Sequence, residues 1–200
     1  MTVTGARAAL RMTAIAAVVL ALVLVELSTR SGVSWRLVTF TYQANLLAAV
    51  FYLWSLMSQQ ADARAGIRGA VVVYVVAAGV VWNLFLTDVS MGYTAANVLL
   101  HVVVPVVAVA EWLLIGAGQR PMCWWQPLVW LAYPAAYIGF ALLVLTMAGR
   151  RIPYYFLDPA AVGGAGVALS VGLLAGMFVC LGYALMALGR RPVTVAREVV

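Results

Sequence analysis

The chain has 200 residues, of which 66% are apolar and only 9% charged, and its mean hydropathy is +1.05. A soluble domain carries about 25% charged residues because water meets it on every side, so this composition excludes a soluble globular protein. The net charge of +6 comes from twelve arginines against six acids, and these arginines punctuate apolar runs instead of forming a basic stripe, which excludes a nucleic-acid-binding surface.

Spanning a bilayer takes roughly 20 mostly apolar residues. In chain order six segments qualify, at about 9–27, 35–57, 67–87, 95–116, 126–147 and 162–188. The first follows Arg7 and Arg11 as a signal peptide would, but it is longer than an h-region and Val25-Glu26-Leu27-Ser28 is a poor cleavage site. It reads as a retained span. The breaks are 28–34, 58–66, 88–94, 117–125 and 148–161, and none is long enough for a second domain. The runs are continuous and lack the two-residue alternation of a membrane β-barrel. The expected architecture is therefore all-α: one six-helix transmembrane bundle over residues 1–200.

Arginine counting sets the orientation. With the N-terminus inside, Arg7, Arg11, Arg64, Arg68, Arg120, Arg190, Arg191 and Arg197 are cytoplasmic, against Arg30, Arg36, Arg150 and Arg151 outside. Eight against four puts both termini in the cytoplasm. Trp35, Tyr93, Trp124, Trp125, Tyr154 and Tyr155 lie near span ends, where an aromatic belt belongs. Arginine without lysine, with abundant Ala, Val and Gly, points to a GC-rich bacterial genome and hence a plasma membrane. Cys123 and Cys180 are isolated, which argues against a disulfide framework or a metal site, and no cofactor is implied.

A polar side chain within a span is costly unless it faces a partner or a cavity. Span two opens with Arg36, Thr39, Thr41, Gln43 and Asn45; span three ends with Asn83 and then Asp88; span four carries Asn97, His101 and, near its far end, Glu111. Thr39 and Gln43 share a helix face by their four-residue spacing, as do Asn97 and His101. Counted from the same surface, Thr39 and His101 both lie roughly 6–9 Å deep. The segment holding Tyr154 and Asp158 caps that side. A polar pocket opening outward is expected there, with little in the inner half beyond Glu111. His101 is the only histidine, and a hydroxyl beside such a base can become a nucleophile. Amides such as Asn97 or Gln43 can orient these groups or hold an oxyanion.

Structural readings stand beside these. Thr39 can return its hydroxyl to a carbonyl one turn back. Gln43, Asn45, Asn83 and Asn97 can be interhelical hydrogen-bond glue. His101 can be a packing residue, Glu111 a wetted or arginine-paired end residue, and Pro105 and Pro134 kink sites. Residue chemistry alone leaves an enzyme and a lipid or isoprenoid binder both open. A solute carrier fits less well, since the sequence offers no evident pair of intramembrane charges.

Three patches together resemble the androgen-induced membrane protein family, the transmembrane threonine hydrolases, in its bacterial branch. Trp35-Arg36-Leu37-Val38-Thr39-Phe40 resembles the family's Trp-Lys-x-x-Thr-Phe start of a span. Asn97-x-x-x-His101, followed by Pro105 and Glu111, is similar to its Asn-x-x-x-His helix. Pro153-Tyr154-Tyr155-Phe156-Leu157-Asp158 looks like its Tyr-Pro-Phe-Leu-Glu element. Here the proline follows His101 by four positions instead of five, and Tyr155 replaces a proline. The resemblance implies an intramembrane hydrolase of fatty acid esters of hydroxy fatty acids, with Thr39 as nucleophile and His101 as base. The implied partners are membrane lipids and a lipid ester. Asp88 and Asp158 are on the correct side to orient His101.

Overall fold

The computed structural model describes residues 3–28, 33, 36–88, 92–115, 122–149 and 152–189. Trp35, placed above in the aromatic belt, and Arg30, Arg120, Arg150, Arg151, Arg190, Arg191 and Arg197, counted above for orientation, lie outside these residues. Among the described residues six long helices carry the fold: α1 (Val3–Ser28), α2 (Phe40–Met57), α3 (Ala65–Leu86), α4 (Ala95–Leu114), α5 (Gln126–Leu145) and α6 (Pro159–Gly189). No strand occurs among the described residues. Five helices, all but α2, are long and apolar enough to cross a membrane. α2 has 18 residues, about 27 Å, against a hydrocarbon core of about 30 Å, and Gln43 and Asn45 dilute its apolar character.

α1, α2, α3 and α4 close a four-helix ring in which α1 and α3 each pack on both α2 and α4. α3 also packs on α6, and from Val71 to Gly79 every residue except Val76 is buried. It is the central helix. α5 joins the ring through rings rather than backbone: Phe40 of α2 meets Tyr133 and Tyr137 at 5.5 and 5.4 Å, and Tyr74 of α3 meets Tyr133 at 5.1 Å.

The prolines show why α3 holds this position. Proline has no N–H, so the carbonyl four residues earlier loses its helical partner. Pro134 frees the carbonyl of Trp130, which accepts the Tyr74 hydroxyl at 2.8 Å. Pro105 frees the carbonyl of His101, which accepts Asn83 Nδ2 at 3.3 Å. Both replacement donors come from α3. Just before Pro105 the helix widens into a π turn at Leu99–Val103, a local adjustment where the regular hydrogen-bond ladder is interrupted.

The ring is pinned at one end by charge. Arg11 Nε donates to Glu111 Oε1 at 2.7 Å, linking α1 to α4. Arg11 and Arg68 both donate to Asp62 Oδ1, and Arg7 reaches Asp62 Oδ2 at 3.1 Å. Arg68 Nε lies 3.8 Å from Glu111 Oε2. Glu111 is fully buried and Arg68 and Arg11 nearly so. This corrects the expectation of an inner half with little beyond Glu111, and of no paired charges. Glu111 is arginine-paired, not wetted. Arg11 and Arg68 escape notice in the sequence because each sits at a span end, where an arginine reads as a membrane anchor.

Burial favours the protonated form of Asp62, but the Arg11 hydrogen bond and the charges of Arg11, Arg68 and Arg7 outweigh it and hold its carboxyl below the usual range. A depressed folded-state value stabilises the fold above the unfolded value of about 4 and loses that contribution as pH falls through the folded one. We expect the melting temperature in detergent to hold from pH 7 to 5 and drop below about pH 4, with Asp62→Asn removing that part of the drop. Glu111→Ala leaves Asp62 as the one remaining carboxylate for the buried Arg11 and Arg68 and should cost about 3 kcal/mol, the low end for breaking a buried pair, read as a lowered melting temperature at pH 7.

Candidate functional site

At the opposite end of the ring, α2 begins later than the apolar run. Residues 37–39 turn before the helix, and Thr39 is the extended residue ahead of Phe40 (φ −90°, ψ 146°). The turn holds because side chains bond the carbonyls of this stretch. Thr39 Oγ1 donates to Arg36 O at 2.8 Å, Gln43 Nε2 to Leu37 O at 2.8 Å and the Tyr137 hydroxyl to Val38 O at 3.2 Å. Thr39 therefore stands before the helix, not four residues into it. The Thr39 hydroxyl does not cap α2. Instead the Thr41 N–H donates to the Tyr154 hydroxyl at 3.4 Å, which also lies 3.5 Å from Thr41 Oγ1.

His101 lies in the π turn of α4 and is buried. Its Nδ1 donates to the Ala78 carbonyl of α3 at 3.2 Å; a carbonyl can only accept, so this fixes the tautomer and leaves Nε2 as the basic nitrogen. Trp82 stacks on the imidazole at 4.6 Å and 13°. Gly79 allows this approach: a Cβ there would meet the His101 carbonyl at 2.7 Å.

A cavity of about 530 Å³ joins these elements, lined among others by Arg36, Thr39, Thr41, Trp82, Asn97, His101 and Tyr154. Thr39 and His101 thus share one cavity, though no hydrogen bond joins them among the described residues. Asn97 lines it while its amide donates to Gly92 O at 2.7 Å. Tyr154, expected as a belt residue as well as a pocket one, is drawn inward; burial pushes its hydroxyl above the usual phenol range, so it stays a neutral donor.

Other sequence candidates go elsewhere. Gln43 does not follow Thr39 into the cavity but bonds Leu37 O and accepts from Tyr133 at 2.9 Å. Asn45 is fully buried within α2, donating to Thr41 O at 2.9 Å. Asn83 serves the freed His101 carbonyl and accepts from Tyr93 at 3.1 Å. Asp88 is exposed after α3. Asp158 caps α6, accepting from Ala160 N at 2.9 Å. The orienting carboxylate expected at Asp88 or Asp158 is supplanted by the Ala78 carbonyl. Trp82 lines the cavity without having been singled out by sequence; a tryptophan at a span end reads as an anchor, and nothing in its spacing announces the stack on His101.

No protein-family model, curated protein or solved structure matches the chain.

Gly79→Val forces the His101 backbone outward and should lower the melting temperature. Tyr74→Phe leaves the Trp130 carbonyl unpaired in an apolar setting and should cost about 1–3 kcal/mol. Thermal unfolding in detergent measures both.

Proposed function

We propose that the protein is a six-span plasma-membrane hydrolase of lipid esters, both termini cytoplasmic, with Thr39 as nucleophile and His101 as general base. The observation that carries this reading is the shared cavity: a threonine hydroxyl and an imidazole with a free basic nitrogen line the same 530 Å³ space. The six-span arrangement is supported by α2 itself. Its polar Thr41, Asn45 and Ser55 are buried, while Leu46, Leu47, Val50, Leu53 and Met57 are exposed, as on a lipid-facing helix. The arginine-rich charge cluster suits the cytoplasmic side, which puts the cavity outside.

In this mechanism a rotation about the Thr39 Cα–Cβ bond releases its hydroxyl from Arg36 O. The oxygen attacks the ester carbonyl carbon as its proton passes to His101 Nε2. The tetrahedral intermediate collapses, and the departing alkoxide takes that proton from Nε2. Water, deprotonated by the same nitrogen, then attacks the acyl-threonine, and as the acid is released the departing Thr39 Oγ1 takes that proton back from Nε2. Developing charge on the carbonyl oxygen is met by the Tyr154 hydroxyl and by the N–H groups at the start of α2, where the helix dipole favours negative charge.

A second reading is a lipid binder without chemistry, and the bond from Thr39 Oγ1 to Arg36 O favours it. A fluorophosphonate probe separates the two. On the hydrolase reading Thr39→Ala abolishes labelling and ester turnover in a protein that still unfolds cooperatively, its melting temperature lowered only by loss of the bond to Arg36 O. His101→Gln lowers turnover about 10²–10⁴-fold, and Tyr154→Phe lowers kcat about 10²–10³-fold. Equal labelling of Thr39→Ala and parent rules out Thr39 as nucleophile.

A further inference from the structure

A second cavity, of about 290 Å³, lies against the first. Phe40, Ala78, Ile138, Leu174 and Phe178 are among its walls, contributed by α2, α3, α5 and α6. Its polar lining is limited to the hydroxyls of Thr41, Tyr137 and Tyr154. Tyr137 is engaged with Val38 O, and Tyr154, which accepts from the Thr41 N–H, also lines the polar cavity. A polar solute would find too few partners among these walls, and burying an unpartnered polar group is costly. A second helix, about 10–12 Å across with its side chains, is too large. A flexible hydrocarbon chain fits.

The two cavities share Thr41, Leu86 and Tyr154 as lining residues, so Tyr154 stands in the wall between them. The register of the neighbouring residues matters. Thr39 lines the polar cavity and the next residue, Phe40, the apolar one. Ala78 lines the apolar cavity while its carbonyl holds His101. Thr39 is thus one residue from the apolar space and His101 one hydrogen bond from it. We propose that the apolar cavity binds a single hydrocarbon chain of a membrane lipid whose polar head occupies the larger cavity.

This rests on the hydrolase reading only for the identity of that head as an ester, with the acyl chain in the apolar cavity. A hexadecyl ether carrying a mid-chain diazirine tests it, since it cannot be hydrolysed and reports binding in the parent and in Thr39→Ala alike. After irradiation, mass spectrometry should find adducts on Ile138, Leu174 or Phe178. Ala175→Phe, which fills the cavity, should reduce those adducts about tenfold, the effect of overpacking worth about 1.4 kcal/mol; Val171→Phe serves if that variant fails to fold. Adducts confined to outward residues such as Leu169 and Leu173, or unchanged by both filling variants, overturn the proposal. Cavity adducts in a parent that turns over no ester refute the hydrolase and leave the chain site standing. Ester turnover that survives both filling variants, with adducts unchanged, refutes the chain site and leaves the hydrolase.

Discussion

The contact between Arg11 and Glu111 sets the frame. A carboxylate buried without exposure is tolerable only with a charged partner and good hydrogen bonds, and Glu111 has Arg11 at 2.7 Å with Arg68 behind it. Asp62, carried on the connection between α2 and α3, shares both arginines. With the Ser55 carbonyl of α2 accepting from Arg11 Nη1 at 3.3 Å, all four helices of the ring meet at one polar knot. Because that knot fixes their spacing at one end, the other end is free to stand apart around a cavity.

A second constraint shapes that cavity. In hydrocarbon no water stands ready to satisfy a freed backbone group. Two prolines free two carbonyls, and α3 answers both with Tyr74 and Asn83. The segment before α2 leaves further carbonyls bare, and Thr39, Gln43 and Tyr137 answer those. Polar side chains that look like site candidates are in this way drawn into backbone repair. What faces the cavity is a short set: His101, Asn97, Tyr154, Thr39 despite its bond to Arg36 O, and a few neighbours.

That residue set gives the proposed chemistry its logic. His101 is held by a carbonyl, not a carboxylate, so the ring is oriented without a fixed negative charge behind it. Tyr154 links the polar space to the apolar one, and its hydroxyl sits at the start of α2 where a negative oxygen would be welcomed. A lipid with its head at Thr39 and a chain beyond Tyr154 would bridge both spaces.

Much of this was legible in residue order. Apolar runs fell on each of the six helices, with starts out by six residues at α1 and five at α2, because a span must be long and uncharged whatever its neighbours do. Their polar interruptions singled out Thr39, His101 and Glu111, because such residues are expensive there. Direction and partnership were not legible. The four-residue spacing of Thr39 and Gln43 implied a common face, yet the helix starts one residue too late for that. Arg11 and Arg68 read as anchors until tertiary packing brought them to Glu111 and Asp62. Trp82 and His101 meet only because Gly79 lets α4 approach α3. Local sequence determines where a chain can cross hydrocarbon; which polar groups then face one another depends on helix rotation and close approach, and only the folded bundle decides those.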